Sequence, residues 1–454
     1  MIICKSTHLY LYIISLLSLL PMVAEGQTSA SYQGKDTSVP VVKMHPSDGW
    51  KRMLWNGGMV RTERGDWYLK MPEGVNDLFA MNFVDGYGIG PQMTIGHFAS
   101  DRSRWELAES VQWAFSRQAL MAKGALRWYS AVERATMFEV YGGQFTEDFD
   151  RDPIMPRMHQ DFAAALFGWN HNKLLERTDA GLRMALPLNN DLMLRAEAGW
   201  ERRRRMENHR KTNSFGAHPQ SNIPRLRDGQ SARELTYYDG PVDGQLGRVG
   251  LQLEYTAQAK HYVFDDMTCS TGSHLATIGL DVELGAGSWH FASLGLNVSQ
   301  TVPIGDPQGN GRFTYRLSGG GILKHGELGL ADWHHFDAST FFWQSSNKLT
   351  RFAMLDPYEL STDETWIEAH AEWFSGKMLL SRLAKEPGVV DEYVQLHAVK
   401  VPGHRAHMEA EYGLSLMQVM RLGVTVGWDN LTCRGVAFTL SFDVFKAAQM
   451  NGAK

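Results

Sequence analysis

Along most of the chain, large apolar residues alternate with small or polar ones at a period of two, the repeat of a strand with one apolar face. Val249, Leu251, Leu253, Tyr255 and Ala257 fall on one face; Gly250, Gln252, Glu254, Thr256 and Gln258 fall on the other. Ile278, Leu280, Val282 and Leu284 oppose Gly279, Asp281 and Glu283. Near the end, Met420, Leu422, Val424, Val426 and Trp428 oppose Arg421, Gly423, Thr425 and Gly427, and Val436, Phe438, Leu440, Phe442 and Val444 oppose Ala437, Thr439, Ser441 and Asp443. Such runs last about 9–11 residues, enough to cross a bilayer at a tilt. Strands of a soluble sandwich are usually only about five or six residues long.

Two further features favour a membrane barrel over a soluble sheet. Aromatic residues recur at segment ends (Trp105, Trp128, Trp200, Trp289, Trp373, Trp428), as interfacial girdles require. The opposite face is rich in Gly, Ser, Thr, Glu and Arg, which suits a hydrated interior. The expected fold is all-β, a transmembrane antiparallel β-barrel of about sixteen strands, within a range of roughly 14–18. The barrel is expected over residues 77–445, after a short periplasmic lead-in at 27–76 and before a polar tail at 446–454. Residues 201–245, which hold the run Arg202-Arg203-Arg204-Arg205 and three prolines, read as one long extracellular loop, and 301–312 as a second. Residues 157–175 fit either a short helix or a loop.

Residues 1–26 read as a secretory signal peptide: Lys5, an apolar run from Leu9 to Val23, then Ala24-Glu25-Gly26 as a small-x-small cleavage site. A composition that is 43% hydrophobic and 11% aromatic excludes disorder for most of the chain. The formal net charge of −5 provides no basic field to attract nucleic acid. Beyond the leader no apolar stretch approaches the roughly 20 residues of a spanning helix. Cys4 departs with the leader, and Cys269 and Cys433 read as two separate small residues rather than a disulfide framework.

Candidate chemistry gathers on the inward face. Glu368, His370 and Glu372 alternate with Ile367, Ala369, Ala371 and Trp373, so all three point into the lumen. Same-face neighbours on a strand lie about 7 Å apart, so two of them could share a metal but hardly three. A network of carboxylates around a histidine is the simpler reading. Asp332, His334 and His335 fare no better as metal ligands. Glu254, Glu283 and Arg316 complete the lumen-facing candidates. Arg202, Arg203, Arg204 and Arg205 are candidates for binding lipopolysaccharide phosphates, against the plainer reading of a solvated charged loop. No Gly-x-Ser-x-Gly elbow sets a serine beside a histidine, and no phosphate-cradling loop occurs. No enzyme activity, cofactor or metal is therefore expected.

Three stretches carry a family resemblance. The first is Asn82-Phe83-Val84-Asp85-Gly86-Tyr87-Gly88-Ile89-Gly90. The second is Tyr141-Gly142-Gly143-Gln144-Phe145-Thr146-Glu147-Asp148-Phe149-Asp150, with Asp152-Pro153-Ile154 and Asn170-His171-Asn172-Lys173-Leu174. The third runs from Phe352-Ala353-Met354-Leu355-Asp356-Pro357-Tyr358-Glu359-Leu360 to Asp363, followed by Phe374-Ser375-Gly376. In these the chain resembles the Gram-negative outer-membrane barrels of unknown function usually found behind a carboxypeptidase-regulatory-like domain. That domain is not seen in the about 55 exported residues before Asn82. The resemblance implies location and architecture, and supplies no catalytic residues. The hairpin from Glu411 to Trp428 is more faintly similar to the last strands of the two-partner-secretion and barrel-assembly superfamily.

The expected function is non-enzymatic transport or a pore of the outer membrane. The alternative is a structural or assembly factor with a plugged barrel, and a lipid-modifying enzyme stands third. The expected partners are outer-membrane lipid and lipopolysaccharide, the assembly machinery during biogenesis, and an unidentified periplasmic or outer-membrane protein.

Overall fold

The computed structural model describes residues 58–442, apart from short stretches of which 379–389 is the longest. A short strand β1 (Gly58–Arg61) pairs with β2 (Trp67–Met71). Strands β2 and β3 (Phe79–Asn82) lie along one side of β4 (Gly86–Ile89) and β5 (Gln92–Phe98), and both β4 and β5 pair with β6 (Arg104–Ala114). The break between β4 and β5 falls at Gly90-Pro91. A Cβ at Gly90 would meet the Val111 carbonyl at 1.8 Å, and Pro91 has no N–H to give the ladder.

From β6 the sheet is an antiparallel meander. It continues through β7 (Ala119–Tyr129), β8 (Met137–Asp148), β9 (Leu174–Pro187) and β10 (Leu192–Arg205). A helix, α1 (Arg157–Phe167), lies between β8 and β9. After a small hairpin, β11 (Arg225–Arg227) with β12 (Leu235–Tyr237), comes β13 (Gly244–Thr256). A second hairpin, β14 (His261–Phe264) with β15 (Met267–Ser270), leads to β16 (Thr277–Gly287), β17 (His290–Pro303) and β18 (Arg312–His325). A two-residue strand β19 (Trp343–Gln344) follows, then β20 (Thr365–Ser375), β21 (Val390–Lys400), β22 (His407–Leu416), β23 (Met420–Asp429) and β24 (Thr432–Phe442). With β2 and β3, and β4 and β5, each counted as one span, sixteen described spans run from β2 to β24, and β1 adds a short strand at the edge.

The two edges of this sheet approach each other. β19 pairs in parallel with β24 at Leu440 and Ser441, Trp343 of β19 lies 6.4 Å from Phe162 of α1, and α1 packs on β3 through Ala164, Met81 and Phe83. The outward face is apolar: Leu126, Leu182, Leu251, Leu294, Ile367 and Val436 are all exposed. The inward face holds buried Glu139, Glu201, Arg248, Gln395, Glu409 and Thr425. Charge inside and leucine outside invert a water-soluble protein and match a barrel standing in hydrocarbon. Trp67, His97, Trp105, Trp128 and Phe138 pair in succession across five neighbouring spans, the girdle expected at a membrane interface.

Several sequence expectations are corrected. The sheet takes in Gly58–Arg61 and Trp67–Met71, which the sequence reading left in the lead-in. β10 continues through Arg205, so Arg202 to Arg205 belong to a strand and not to a loop. Likewise β17 runs to Pro303 and β18 begins at Arg312, which shortens the second loop. Trp289 is no girdle residue: it is buried inside, with its indole N–H donated to Asp332 at 2.6 Å. Residues 157–167 are helical and 174–175 already belong to β9. Cys433 is free and exposed, at the end of the barrel opposite the β14–β15 hairpin that carries Cys269. The signal peptide and the C-terminal tail lie outside the described residues.

Candidate functional site

The three longest connections, 149–173, 206–243 and 326–364, emerge at the same end of the meander and fold over and into the barrel. Phe149, Tyr238, Val242, Leu330 and Tyr358, drawn from all three, form one buried apolar cluster with Leu175 of β9. The segment between β18 and β20 goes deepest. Its Phe336, Phe352, Leu355 and Leu360 pack on Val399 of β21 and the adjoining Val401. This segment is a plug.

Buried ions latch the plug to the wall. Asp332, on a single 3-10 turn (Leu330–Asp332), receives both terminal nitrogens of Arg203 at 2.7 Å, together with Arg248 and the Trp289 indole. Burial alone would raise the Asp332 carboxyl, but the Arg203 and Arg248 guanidiniums and the indole N–H outweigh it and hold it below its ordinary value. Glu359 makes the second latch. It accepts Arg227 Nη2 at 2.7 Å and both terminal nitrogens of Arg434 at 2.7 Å, and it too is held low against the opposing effect of burial. Arg434 reaches it because the β23–β24 register shifts after Gly427, so that Gly427 pairs with Gly435 but Trp428 pairs with Cys433. Gly435 sits at φ +149°, and this bulge turns inward a side chain that strict alternation would aim at lipid.

The third latch is on β22. Glu409 accepts the backbone N–H groups of Ala353 at 2.8 Å and Met354 at 2.9 Å, and it is braced by His407, which also contacts Asp429 at 3.0 Å. Phe352 lies between 5.1 and 5.9 Å from the rings of His370, His397 and His407. Tyr358 bonds Asp148 of β8, and its hydroxyl accepts the Lys173 backbone N–H at 3.3 Å. Burial pushes the Tyr358 hydroxyl well above its ordinary value, with Asp148 adding to the effect. Lys173, buried under the loops, is pushed down to about 7, chiefly by burial and then by Arg225.

The sequence candidates distribute unevenly over this interior. Glu368, His370 and Glu372 face inward and are buried, each held by protein: Glu368 by Ser318, His370 by His397 at 3.0 Å, Glu372 by Gln395 at 2.7 Å and Arg421 at 2.6 Å. They support the plugged half of the wall. Glu254 pairs with Arg195 at 3.3 Å, Glu283 contacts Arg248, and Arg316 is exposed opposite His370 in the ladder. Arg203 is buried in the Asp332 latch. Arg205 donates to the Gly240 carbonyl at 2.7 Å, Arg204 pairs with Glu176 at 3.3 Å, and Arg202 is exposed. Among the described residues no group of three or more His, Cys, Asp or Glu side chains is placed to hold a metal ion. Asp332, His334 and His335 separate into different roles: His334 stacks on Trp366 at 3.9 Å, and His335 bonds the Ser361 hydroxyl at 2.8 Å.

The opposite half of the interior stays open. Along β6 to β10 the inward side chains, joined by Arg151 of the 149–173 connection, form a ladder of alternating charge. Arg183 joins Glu139 at 3.0 Å to Glu197 at 3.1 Å, Arg151 contacts Glu201 at 2.7 Å, Arg177 contacts Glu147 at 2.7 Å, and Lys123 bridges Glu147 at 2.7 Å and Asp179 at 2.9 Å. Two cavities of about 440 Å³ each follow this ladder and share Lys123, Tyr141 and Arg183 as lining. Sequence reasoning missed the ladder, although each member except Arg151, which comes from the 149–173 connection, sits at an inward position of a strand whose period is visible. It likewise gave no role to Glu359, Arg434, Arg227 or Glu409, whose partners are distant in the chain. The one signal for the plug was the stretch from Phe352 to Asp363, which carried the family resemblance and proves to be the interior segment itself.

No curated protein matches the chain in sequence. Distant likenesses in fold are found among solved structures. BamA from Haemophilus ducreyi lacking POTRA domains 1-3 is 9% identical with a TM-score of 0.44, over 86% of this chain and 76% of that one. CdiB from Acinetobacter baumannii is 10% identical with a TM-score of 0.35, over 86% and 66%. OccK10 (OpdN) of Pseudomonas aeruginosa is 8% identical with a TM-score of 0.28, over 78% and 91%. The profile of the Family of unknown function (DUF5686) C-terminal domain matches residues 51–414, most of the strands and all three interior connections, and the chain belongs to that family.

Proposed function

We propose that the protein is an outer-membrane β-barrel, exported by residues 1–26, that takes part without catalysis in the passage of small polar solutes along its β6–β10 wall. The observation that carries this reading is the asymmetry of the interior. A latched plug fills the β20–β24 side, while two adjoining cavities follow a charged ladder on the other. Such a half-filled interior would pass ions and small solutes slowly, so refolded protein in a planar bilayer is expected to show a small, steady conductance. Lys123 lines both cavities, and Lys123→Glu is expected to shift the reversal potential toward cation selectivity. An unchanged reversal potential would remove the ladder from the conducting path.

The orientation has its own test. The three long connections and Cys433 share one end of the barrel, and the last strand finishes at the other end with Phe442, so the loop end faces outward in this reading. A membrane-impermeant maleimide should therefore label Cys433 on intact cells, judged by loss of that signal in Cys433→Ser. Labelling only after lysis would invert the orientation. The rival reading, a plugged structural or assembly factor, draws on the pairing of β24 with the internal strand β19. Depletion that lowers other outer-membrane barrels would favour it, and an unaltered outer-membrane proteome would remove it.

A further inference from the structure

The cavity lined by Arg177 and Asp179 contains unsatisfied charge. Arg177 is 5% exposed at its side chain; it gives Nη1 to Glu147 and lies 3.4 Å from Glu201 through Nε, but its Nη2 has no hydrogen-bond partner. Two residues along the same face of β9, Asp179 uses Oδ2 on Lys123 while its buried Oδ1 has no partner. Oδ2 of Asp148, also in the lining, is unpartnered as well. Buried charged atoms without partners cost free energy, and a structure retains them where something else completes them. The lining as a whole sets eight carboxylates against five cationic side chains, so it favours a ligand bearing a positive group beside its anion-binding donor.

We propose that this cavity is a binding site for a small zwitterion with free ammonium and carboxylate ends, the chemistry of an amino acid or a very short peptide. The carboxylate sits on Arg177 Nη2, and the ammonium sits on Asp179 Oδ1. Same-face neighbours on a strand lie about 7 Å apart, which is the reach of roughly two extended residues. A dipeptide therefore spans the two charges better than a single amino acid. The Tyr141 ring, held under Arg183 at 4.0 Å with its hydroxyl on Glu197 at 2.5 Å, is an apolar surface for the short side chains between the ends.

This assignment rests on the reading of the β6–β10 wall as a solute path, and it names the solute class. The test is titration calorimetry on the detergent-solubilised full chain with dialanine, N-acetyl-dialanine, dialanine amide and free alanine. Dialanine is expected to bind, and capping either end is expected to weaken it by roughly tenfold or more. Free alanine is expected to bind more weakly than dialanine. Arg177→Lys should keep the fold, checked by heat-dependent gel mobility, and should reduce the penalty of the amide cap while leaving that of the acetyl cap. Asp179→Asn should do the reverse. Equal binding of capped and uncapped peptides, or no binding of any of them, would overturn the assignment. Calorimetry does not depend on conduction, so a silent barrel that still distinguishes the caps would remove the passage reading alone.

Discussion

Asp332→Ala is expected to raise the conductance of the refolded barrel severalfold and to lower its stability by about 3–5 kcal/mol, the cost of breaking a buried ion pair from one side. The carboxylate lies between Arg203 and Arg248, beside Glu201, and it also takes the Trp289 indole. Without it the buried Arg203 keeps only Glu201, and the 3-10 turn loses its hold on β10 and β13. Leu330 sits in the cluster that joins all three long connections, so loosening that turn should let the cap and the plug move together. Asp332→Asn separates the two effects: it keeps the size and a hydrogen-bond acceptor while removing the charge, and should fall between wild type and Ala in both readouts. Denaturant midpoint and single-channel current are the measurements. If both stay at wild-type values in Asp332→Ala, the latch holds nothing.

A second large effect concerns which face meets lipid. Val424 and Thr425 are neighbours on β23, yet Val424 is 41% exposed and Thr425 is fully buried against Glu411, to which its hydroxyl donates at 2.6 Å. Val424→Arg places a guanidinium in hydrocarbon and should cost about 2–4 kcal/mol when the barrel is refolded into vesicles, if the position is near the midplane. Val424→Leu should be nearly neutral. An arginine at 424 with an unchanged unfolding midpoint would mean that the outward face is not in a bilayer, and the membrane reading would fall with it.

The alternation that identifies Val424 as outward was legible in the sequence because a strand repeats every two residues and the bilayer enforces that repeat along the whole span. The same rule failed at identifiable places. Arg434 is the extra residue of a bulge, and Trp289 lies one residue before β17, where the wall gives way to the interior cap. Arg202 to Arg205 looked like loop because charge in a membrane strand is unusual, yet β10 continues through them, and Arg203 is matched by a carboxylate 129 residues away. The family stretches were visible as motifs but silent as to role. Asp148 of one and Tyr358 of another meet as a single hydrogen bond only once the chain has folded.

What the sequence by itself determined is therefore local and periodic: an all-β chain, spans of membrane length, an apolar outside and a polar inside, about sixteen of them. These follow from steric alternation and from the solvent on each side, which act on neighbouring residues. Only the tertiary structure decided that the interior is half filled, because the plug is held by pairs such as Asp332 with Arg203 and Glu359 with Arg434, whose partners lie 129 and 75 residues apart. No short-range pattern encodes a contact of that separation. The open, charged half of the barrel is what remains where such pairs did not form across the lumen.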